Sequence, residues 1–181
     1  MLADTCNAIR QSVLRLHIIA NSDSEADQAL KLRVRDRLLK EGKLYLGSAA
    51  NEQEALLMAG KNLDQLNAAA QDEIRKNGYP YDVHVELGEA WFDTRVYDDI
   101  TLPAGEYEAV KVVIGEGEGK NWWCVVFPTL CTAATSDEAE LQAAAGGFDE
   151  DEAAWITEEQ PEYRLRFKTL EWLQKLKELF S

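Results

Sequence analysis

The sequence predicts an α+β fold: a mixed or mainly antiparallel sheet with helices packed on one face, in a single domain with an acidic surface excursion. Three observations lead to this prediction. Several short segments alternate apolar and polar side chains as strands do, and two longer ones carry apolar residues at helical spacing. They follow in the order β-α-α-β-β-β, then an acidic stretch, then β-α, which is typical of the α+β class. The chain has 181 residues, of which 46% are hydrophobic, enough for one domain with a core.

The first predicted strand covers residues 13–20, which read VLRLHIIA. Leu14, Leu16 and Ile18 stand at every second position and therefore share one face, which we expect to be buried. The residues before this strand, among them Cys6, are expected to form a frayed N-terminus.

Residues 21–24 form a turn that leads into the first predicted helix. Ser22 with Glu25, or Ser24 with Asp27, has the spacing of a capping box, in which the two side chains satisfy backbone N–H groups at the start of a helix. The turn is therefore expected to fix where the helix begins.

This helix is expected to continue to Glu41, because Gly42 suits a helix end. Its apolar residues recur at helical spacing, so one side should pack inward and the other should face solvent. The inward residues are Leu30, Val34 and Leu38, and the outward residues are Asp27, Lys31 and Arg35.

The second predicted helix begins at Asn51, with Glu54 at the reciprocal capping position, and continues to residue 76. Further strands are predicted at residues 81–87, 107–114, 122–127 and 163–168, and a short amphipathic helix at 170–180. The glycine-rich segment 115–120 is interpreted as a hairpin connection. We expect one domain over residues 1–181, with an ordered core at 13–131 and 162–180.

The charge of the chain is strongly negative and unevenly placed. Asp and Glu number 33 against 19 Lys and Arg, which gives a net charge of −14. Residues 135–160 hold 9 acidic residues and no Lys or Arg, and we expect a variable, loosely held surface segment there. So acidic a surface repels phosphate groups, which argues against nucleic acid and anionic lipid as partners.

No catalytic constellation stands out, so we expect a protein that is not an enzyme. The two histidines, His17 and His84, lie on the less apolar faces of their strands, where they would meet only if the strands were neighbours. Two histidines do not make a metal site, and none is predicted. The segment Gly115–Lys120 superficially resembles a phosphate loop but lacks the Ser or Thr after the lysine and is followed by a strand. No cofactor is expected.

Trp122 and Trp123 are adjacent on a predicted strand and should therefore face opposite ways. One indole can enter the core while the other stays at the surface beside the glycine-rich segment. A surface tryptophan there is a candidate anchor for a protein partner, but it could also stack on a sugar ring, or both rings could serve packing alone.

Cys124 and Cys131 enclose a loop of 8 residues around Pro128. A disulfide between them would imply an oxidising compartment and would leave Cys6 unpaired. The alternative is two free buried cysteines, since free cysteine often serves as a small core residue.

Several strings resemble the opening motif and the second motif block of the stage II sporulation protein R family, in the same order. The strings are LHIIANSDS at 16–24, DQALK at 27–31, VRD at 34–36, LPAGEY at 102–107, IGEG at 114–117, GKNWWCV at 119–125, FP at 127–128 and LC at 130–131. Residues 163–168, YRLRFK, are similar to the family's closing strand. The GKNWWC string is highly specific. Where family members often carry Pro-Pro, this chain has Pro128-Thr129.

The resemblance implies a signalling protein of endospore formation that acts between the forespore and mother-cell membranes. There, members of the family activate a membrane-embedded aspartic protease that processes pro-sigma-E. That export, together with the spacing around Pro128, implies a Cys124–Cys131 disulfide. The chain begins without the hydrophobic export segment of family precursors, and we expect this segment to be missing from the sequence.

The protease is expected to bind the surface built from the Asn21–Ser24 turn and the Gly115–Trp123 loop, together with two helical side chains. The expected contact residues are Asn21, Ser22, Asp23, Ser24, Lys31, Arg35, Lys120, Asn121, Trp122 and Trp123. Two other functions stay open. A cell-wall carbohydrate-binding or hydrolysing protein predicts an open cleft with a surface tryptophan and two facing carboxylates, whereas a signalling protein predicts a flat or convex patch without such a cleft. A cytosolic α+β module predicts free thiols at Cys124 and Cys131.

Overall fold

The computed structural model describes residues 2–97 and 100–128. The predicted strand 163–168, the helix 170–180, the acidic segment 135–160 and Cys131 lie outside the described residues. The helices are α1 (Leu2–Gln11), α2 (Glu25–Leu46), α3 (Glu52–Lys61) and α4 (Leu63–Lys76). The strands are β1 (Leu14–Ile19), β2 (Val83–Phe92), β3 (Arg95–Tyr97), β4 (Ile100–Leu102), β5 (Gly105–Ile114) and β6 (Asn121–Phe127).

Four strands form a mixed sheet in the order β2-β5-β1-β6, and β3 pairs with β4 in a separate two-stranded sheet. Strand β1 is parallel to β5 and antiparallel to β6, while β2 is antiparallel to β5. The predicted α+β class with a mixed sheet is therefore confirmed.

One face of the sheet carries the core. Leu14, Leu16 and Ile18 of β1 are buried there, as their spacing predicts. They pack with helix residues from α2, α3 and α4, which include Leu30, Val34, Leu38, Ala55, Ala59, Leu66, Ala70 and Ile74. The inward stripe predicted for α2 is thus confirmed, and three helices pack on this face.

The opposite face of the sheet also buries side chains. Arg15 of β1 is fully buried, and its guanidinium carbon lies 4.0 Å from the centre of the Phe92 ring and 4.8 Å from that of Tyr107. His17, two residues further along β1, is only 8% exposed, so the less apolar face of this strand is buried as well. Strand β5 lies between the strands of His17 and His84, and the two rings do not meet.

The expected frayed N-terminus is helix α1 instead. Cys6 is 4% exposed and Ile9 fully buried, so the helix is held by packing. The Arg10 guanidinium donates to the carbonyl oxygens of Cys6 and of Ala104, the residue before β5. These contacts connect α1 to the sheet.

Helix α2 passes through Gly42 and ends at Leu46, so the predicted end at Glu41 is wrong. Leu46 is 5% exposed, and burying it one turn after Gly42 offsets the modest cost of a glycine within a helix. The start is as predicted, since the Ser24 side chain accepts a hydrogen bond from the Asp27 N–H.

The predicted second helix is two helices, α3 and α4, which meet at Asn62. Its backbone departs from helical values, with φ −112° and ψ 14°, and its side-chain amide donates to the Met58 carbonyl. A side chain that bonds its own backbone in this way competes with helical hydrogen bonds. The predicted Asn51 cap is confirmed, because its side chain accepts from the Glu54 N–H.

Strand β2 starts two residues later than predicted and continues to Phe92, since it pairs with β5 along its whole length, from Val83 with Ile114 to Phe92 with Gly105. The interpretation of residues 115–120 as a hairpin connection is wrong, because β1 lies between β5 and β6. The loop therefore passes over the end of β1, where the turn at residues 21–24 begins.

Candidate functional site

The loop over residues 115–120 and the turn at residues 21–24 form one surface because the loop crosses the end of β1. The Glu118 N–H donates to the Asn21 carbonyl at 3.1 Å, and the Gly119 N–H donates to the Ala20 carbonyl at 2.9 Å. The Glu116 N–H donates to the side-chain oxygen of Asn21 at 3.0 Å. We call residues 21–24 and 115–123 the turn–loop surface. The two predicted segments are thus brought together.

Two glycines of the loop are required by this close approach. Gly115 has φ 57°, a conformation that favours glycine, and a Cβ there would overlap the Asn21 side chain. A Cβ on Gly119 would overlap the backbone carbonyl of Ser22. The glycines let the loop lie against the turn of its own chain.

Asp27 is the central acceptor beneath the turn. Its carboxylate accepts from the Asn21 amide at 2.9 Å and from the Ser22 hydroxyl at 2.6 Å. Burial alone would raise the pKa of Asp27, but hydrogen bonds from Asn21, Ser22, Tyr81 and Ser24 hold it below its usual value. Asp27 is only 4% exposed, so its predicted outward position is wrong.

Lys31 is a buried charged residue that hydrogen-bonds to the loop, as Asp27 hydrogen-bonds to the turn. It is 4% exposed, and its ammonium donates to Gln28 Oε1 at 2.6 Å and to the Lys120 carbonyl at 2.8 Å. Burial lowers the pKa of Lys31, and so do the nearby charges of Lys120 and Arg35, while Asp23 opposes them. The predicted outward position of Lys31 is wrong, since its ammonium connects α2 to the loop inside the protein.

Asp23 links the two segments on the outside. Its Oδ1 accepts from the Lys120 N–H at 2.7 Å, while the Asp23, Ser24, Lys120 and Asn121 residues are exposed. Within residues 2–97 and 100–128, the Lys120 ammonium makes no ion pair and no hydrogen bond. The surface therefore offers a carboxylate, a hydroxyl, an amide and an ammonium on a backbone that is fixed from inside.

The two tryptophans lie on opposite faces of β6, as predicted, and both are partly buried. Trp122 packs against the helical core, with the Arg35 guanidinium carbon 4.5 Å from its ring centre. Trp123 stacks on His17 with ring centres 3.8 Å apart. Neither indole is fully in the core or fully at the surface, as the two-role hypothesis required.

The His17 ring is also bonded to the turn–loop surface. Its Nε2 lies 3.0 Å from Asn121 Oδ1. Burial lowers the pKa of His17, and the charge of Lys111 adds to this, while the Asn121 hydrogen bond opposes it. The lowered pKa favours the neutral ring, which suits stacking on Trp123.

A second candidate site, which the sequence analysis missed, is an acidic cleft of about 630 Å³ at the other end of β5. Its acidic and aromatic lining is Glu52, Glu89, Trp91, Glu106, Tyr107 and Glu108. Glu89 stands directly opposite Glu108 in the β2–β5 pair. Burial raises the pKa of Glu52, and the charge of Glu108 raises it further. The strand register sets Glu89 opposite Glu108, and the packing of α3 places Glu52 beside them; the sequence shows neither.

Among the described residues, no group of three or more His, Cys, Asp or Glu is placed to hold a metal ion. None of the helices within the same residues is long and apolar enough to cross a membrane. Cys124 is 3% exposed, and the predicted pairing with Cys131 lies outside the described part of the chain.

A profile of the stage II sporulation protein R family matches residues 10–137, which include the turn, the loop and both tryptophans. The chain belongs to this family. It is similar to stage II sporulation protein R of Bacillus subtilis (strain 168), with 38% identity over 123 residues, or 68% of this chain. The chain spans 55% of the length of that relative. No solved structure matches.

Proposed function

We propose that this chain is an extracytoplasmic signalling protein of endospore formation, which activates the membrane-embedded aspartic protease that processes pro-sigma-E. Membership of the stage II sporulation protein R family is the observation that carries the proposal. The compartment is the space between the forespore and mother-cell membranes, and the Cys124–Cys131 disulfide belongs to the same proposal. The chain acts as the ligand of the protease and has no catalytic step of its own.

The turn–loop surface is the proposed contact with the protease. Its backbone is fixed by Asp27 and Lys31 from below and by the Asp23–Lys120 bond from outside. A surface that is already ordered loses little conformational entropy on binding, which favours affinity. Asp23, Ser24, Lys120 and Asn121 supply the exposed polar contacts. In this proposal Lys31 positions the loop and does not contact the protease.

A cell-wall carbohydrate-binding or hydrolysing activity is the second candidate function, and the acidic cleft is the observation that favours it. The cleft contains Trp91, which could stack on a sugar, and several carboxylates of which Glu52 has a raised pKa, as a general acid requires. The signalling hypothesis predicted that such a cleft would be absent, so the cleft counts against that expectation. Release of soluble sugars from purified peptidoglycan, lost in a Glu52→Gln variant, would establish this activity.

The test of the proposal is cleavage of pro-sigma-E in membranes that hold the protease, after addition of the purified chain. The wild-type protein is expected to trigger cleavage. Asp23→Ala and Lys120→Ala should require about tenfold more protein for the same cleavage, because each removes an exposed polar group of the contact. Lys61→Ala, on the exposed end of α3, is the matched control and should act as the wild type does.

Two outcomes separate the parts of this proposal. If the wild-type chain triggers no cleavage, the assigned function is wrong. If Asp23→Ala and Lys120→Ala stay folded and act at the wild-type dose, the function stands and the turn–loop surface is not the contact.

A further inference from the structure

A groove lies beside the turn–loop surface, between helix α2 and strand β6. We call it the α2–β6 groove, and its volume is about 510 Å³. It is lined by Arg35, Asp36, Leu39, Lys40, Lys43, Trp122 and Cys124. Leu39, Trp122 and Cys124 provide apolar surface, and the remaining side chains are charged. The groove is continuous with the turn–loop surface, because Trp122 belongs to both.

The charge of this groove is opposite to that of the chain. Helix α2 carries six basic side chains against four acidic ones, in a protein of net charge −14. Arg35 is balanced by Asp36, with 2.6 Å between Nη2 and Oδ1. Lys40 and Lys43 are exposed and make no ion pair within residues 2–97 and 100–128. Two uncompensated ammonium groups therefore stand beside an apolar floor.

We propose that the α2–β6 groove binds an extended acidic segment of a partner protein. Its carboxylates would pair with Lys40 and Lys43, and an apolar side chain between them would lie against Trp122. This inference rests on the proposed function in one respect: the acidic segment is assigned to the protease that the chain activates.

Charge complementarity selects this occupant. An acidic segment is repelled by the net charge of this chain and attracted at the groove, so the groove both steers the segment and fixes where it binds. The apolar floor supplies affinity that charge pairs at a solvent-exposed rim do not provide. A lipid surface fits less well, because the site is concave and the chain as a whole repels anionic headgroups.

The first experiment measures binding of a fluorescent ten-residue peptide with four Glu around a central Leu. The same peptide with Gln in place of Glu is the ligand control. The wild-type chain should bind the acidic peptide, with affinity that falls as salt rises, and should bind the Gln peptide at least about tenfold more weakly. A Lys40→Glu/Lys43→Glu variant should lose about tenfold or more in affinity, and Lys61→Glu should lose none. Both variants change exposed side chains, and thermal unfolding checks that they are folded.

Equal binding of the two peptides, or unchanged binding by the Lys40→Glu/Lys43→Glu variant, would overturn the inference. The inference would also be overturned if the wild type sedimented as a dimer and the Lys40→Glu/Lys43→Glu variant as a monomer, because the occupant of the groove would then be a second copy of the chain. Binding of phosphatidylglycerol vesicles at lower protein concentration than the peptide, lost in the same variant, would assign the groove to lipid instead.

The cleavage assay separates this inference from the function on which it rests. A wild-type chain that binds the acidic peptide but triggers no cleavage leaves the groove assignment intact and refutes the function. A Lys40→Glu/Lys43→Glu variant that triggers cleavage at the wild-type dose refutes the groove as a protease contact. An increase of about tenfold in the dose required, with Lys61→Glu unchanged, supports both.

Discussion

The two ends of strand β5 differ in whether the charged side chains around them have favourable partners. Where β5 ends, the turn–loop surface gives its buried charged groups partners: Asp27 accepts from Asn21 and Ser22, and Lys31 donates to the Lys120 carbonyl. Where β5 begins, the acidic cleft sets Glu108 directly opposite Glu89. Like charges in that position are unfavourable. The hydrogen bonds at the first end stabilise its conformation, whereas the facing carboxylates at the second end repel each other.

The rigidity of a polar surface therefore depends less on how many polar groups it has than on whether those groups have hydrogen-bond partners within the protein. The turn–loop surface looks polar in sequence, yet much of its polarity holds the backbone in place. The polar groups left for a partner are few and sit on a fixed frame, which suits recognition of a protein. In the cleft, burial and the charge of Glu108 raise the pKa of Glu52.

The largest expected effect on this contrast comes from removing the acceptor beneath the turn. Asp27→Ala leaves the Asn21 amide and the Ser22 hydroxyl without their acceptor, and should lower the free energy of unfolding by about 3 kcal/mol. Chemical denaturation measures the change. Asp36→Ala, on the exposed side of the same helix, is the control and should cost less than about 0.5 kcal/mol. Equal losses in the two variants would mean that the network under the turn is not what holds it.

The sequence was sufficient where one face of an element decides the packing. Leu14, Leu16 and Ile18 alternate, and the strand they predict is β1. Leu30, Val34 and Leu38 recur at helical spacing and are buried. In both cases the spacing of the apolar residues puts them on one side of the element, and that side packs in the core.

The sequence was insufficient where distant contacts decide. Asp27 and Lys31 are expected to face solvent, opposite the apolar stripe, but 27, 31, 34 and 38 are themselves at helical spacing, which places both residues beside the buried stripe. Asp27 accepts hydrogen bonds from Asn21 and Ser22, which are near it in the sequence, and from Tyr81, which is not. The Lys31 ammonium donates to the Lys120 carbonyl, 89 residues away. The helical spacing and the near partners of Asp27 were readable signals, but the distant partners were not. The Glu89–Glu108 pair depends on strand register in the same way.

The second expected effect concerns the proposed disulfide at Cys124 of strand β6, which follows the loop. If Cys124 and Cys131 are bonded, replacing both by Ser should lower stability by about 2.5 kcal/mol, the loop-closure value for so short a loop before any strain. The bond itself is checked by mass measurement after alkylation without reductant. Uptake of the reagent at both positions would refute the pairing. Cys6 is the internal reference, because it is a free buried thiol whose pKa burial raises, so it should react only after unfolding.

A smaller effect is expected from Gly119→Ala, which tests whether the loop must lie against the turn. The added methyl group meets the Ser22 carbonyl, which is backbone and cannot rotate away, so the loop must shift. We expect a loss of about 1–2 kcal/mol and weaker protease activation. Gly88→Ala is the matched control, since a Cβ there has open space around it. If Gly119→Ala is as stable and as active as Gly88→Ala, the close contact is not needed.

The smallest effect should have the opposite sign and should arise at the acidic cleft. The Glu108 charge faces Glu89 and also raises the pKa of Glu52. Glu108→Gln removes this charge, so near neutral pH it should increase the free energy of unfolding by about 0.5 kcal/mol. Glu116→Gln changes the net charge equally but lies in the loop, where it is exposed, and serves as the control for general repulsion. A gain as large in Glu116→Gln would remove the cleft from the explanation.

The pH dependence of that gain sharpens the contrast between the two ends of β5. Because the pKa of Glu52 is raised on folding, its charged form destabilises the fold, and this cost disappears as pH falls from neutral toward its ordinary value of 4.5. The pKa of Asp27 is lowered, so its stabilising contribution is complete above its ordinary value of 3.8 and is lost only as pH falls below that value. Unfolding measured from pH 7 down to pH 3 should therefore show the Glu108→Gln advantage vanish first, while the deficit of Asp27→Ala persists and shrinks only at the acidic limit. The reverse order would mean that the cleft carboxylates are screened by solvent and that their opposition across the strands carries no energy.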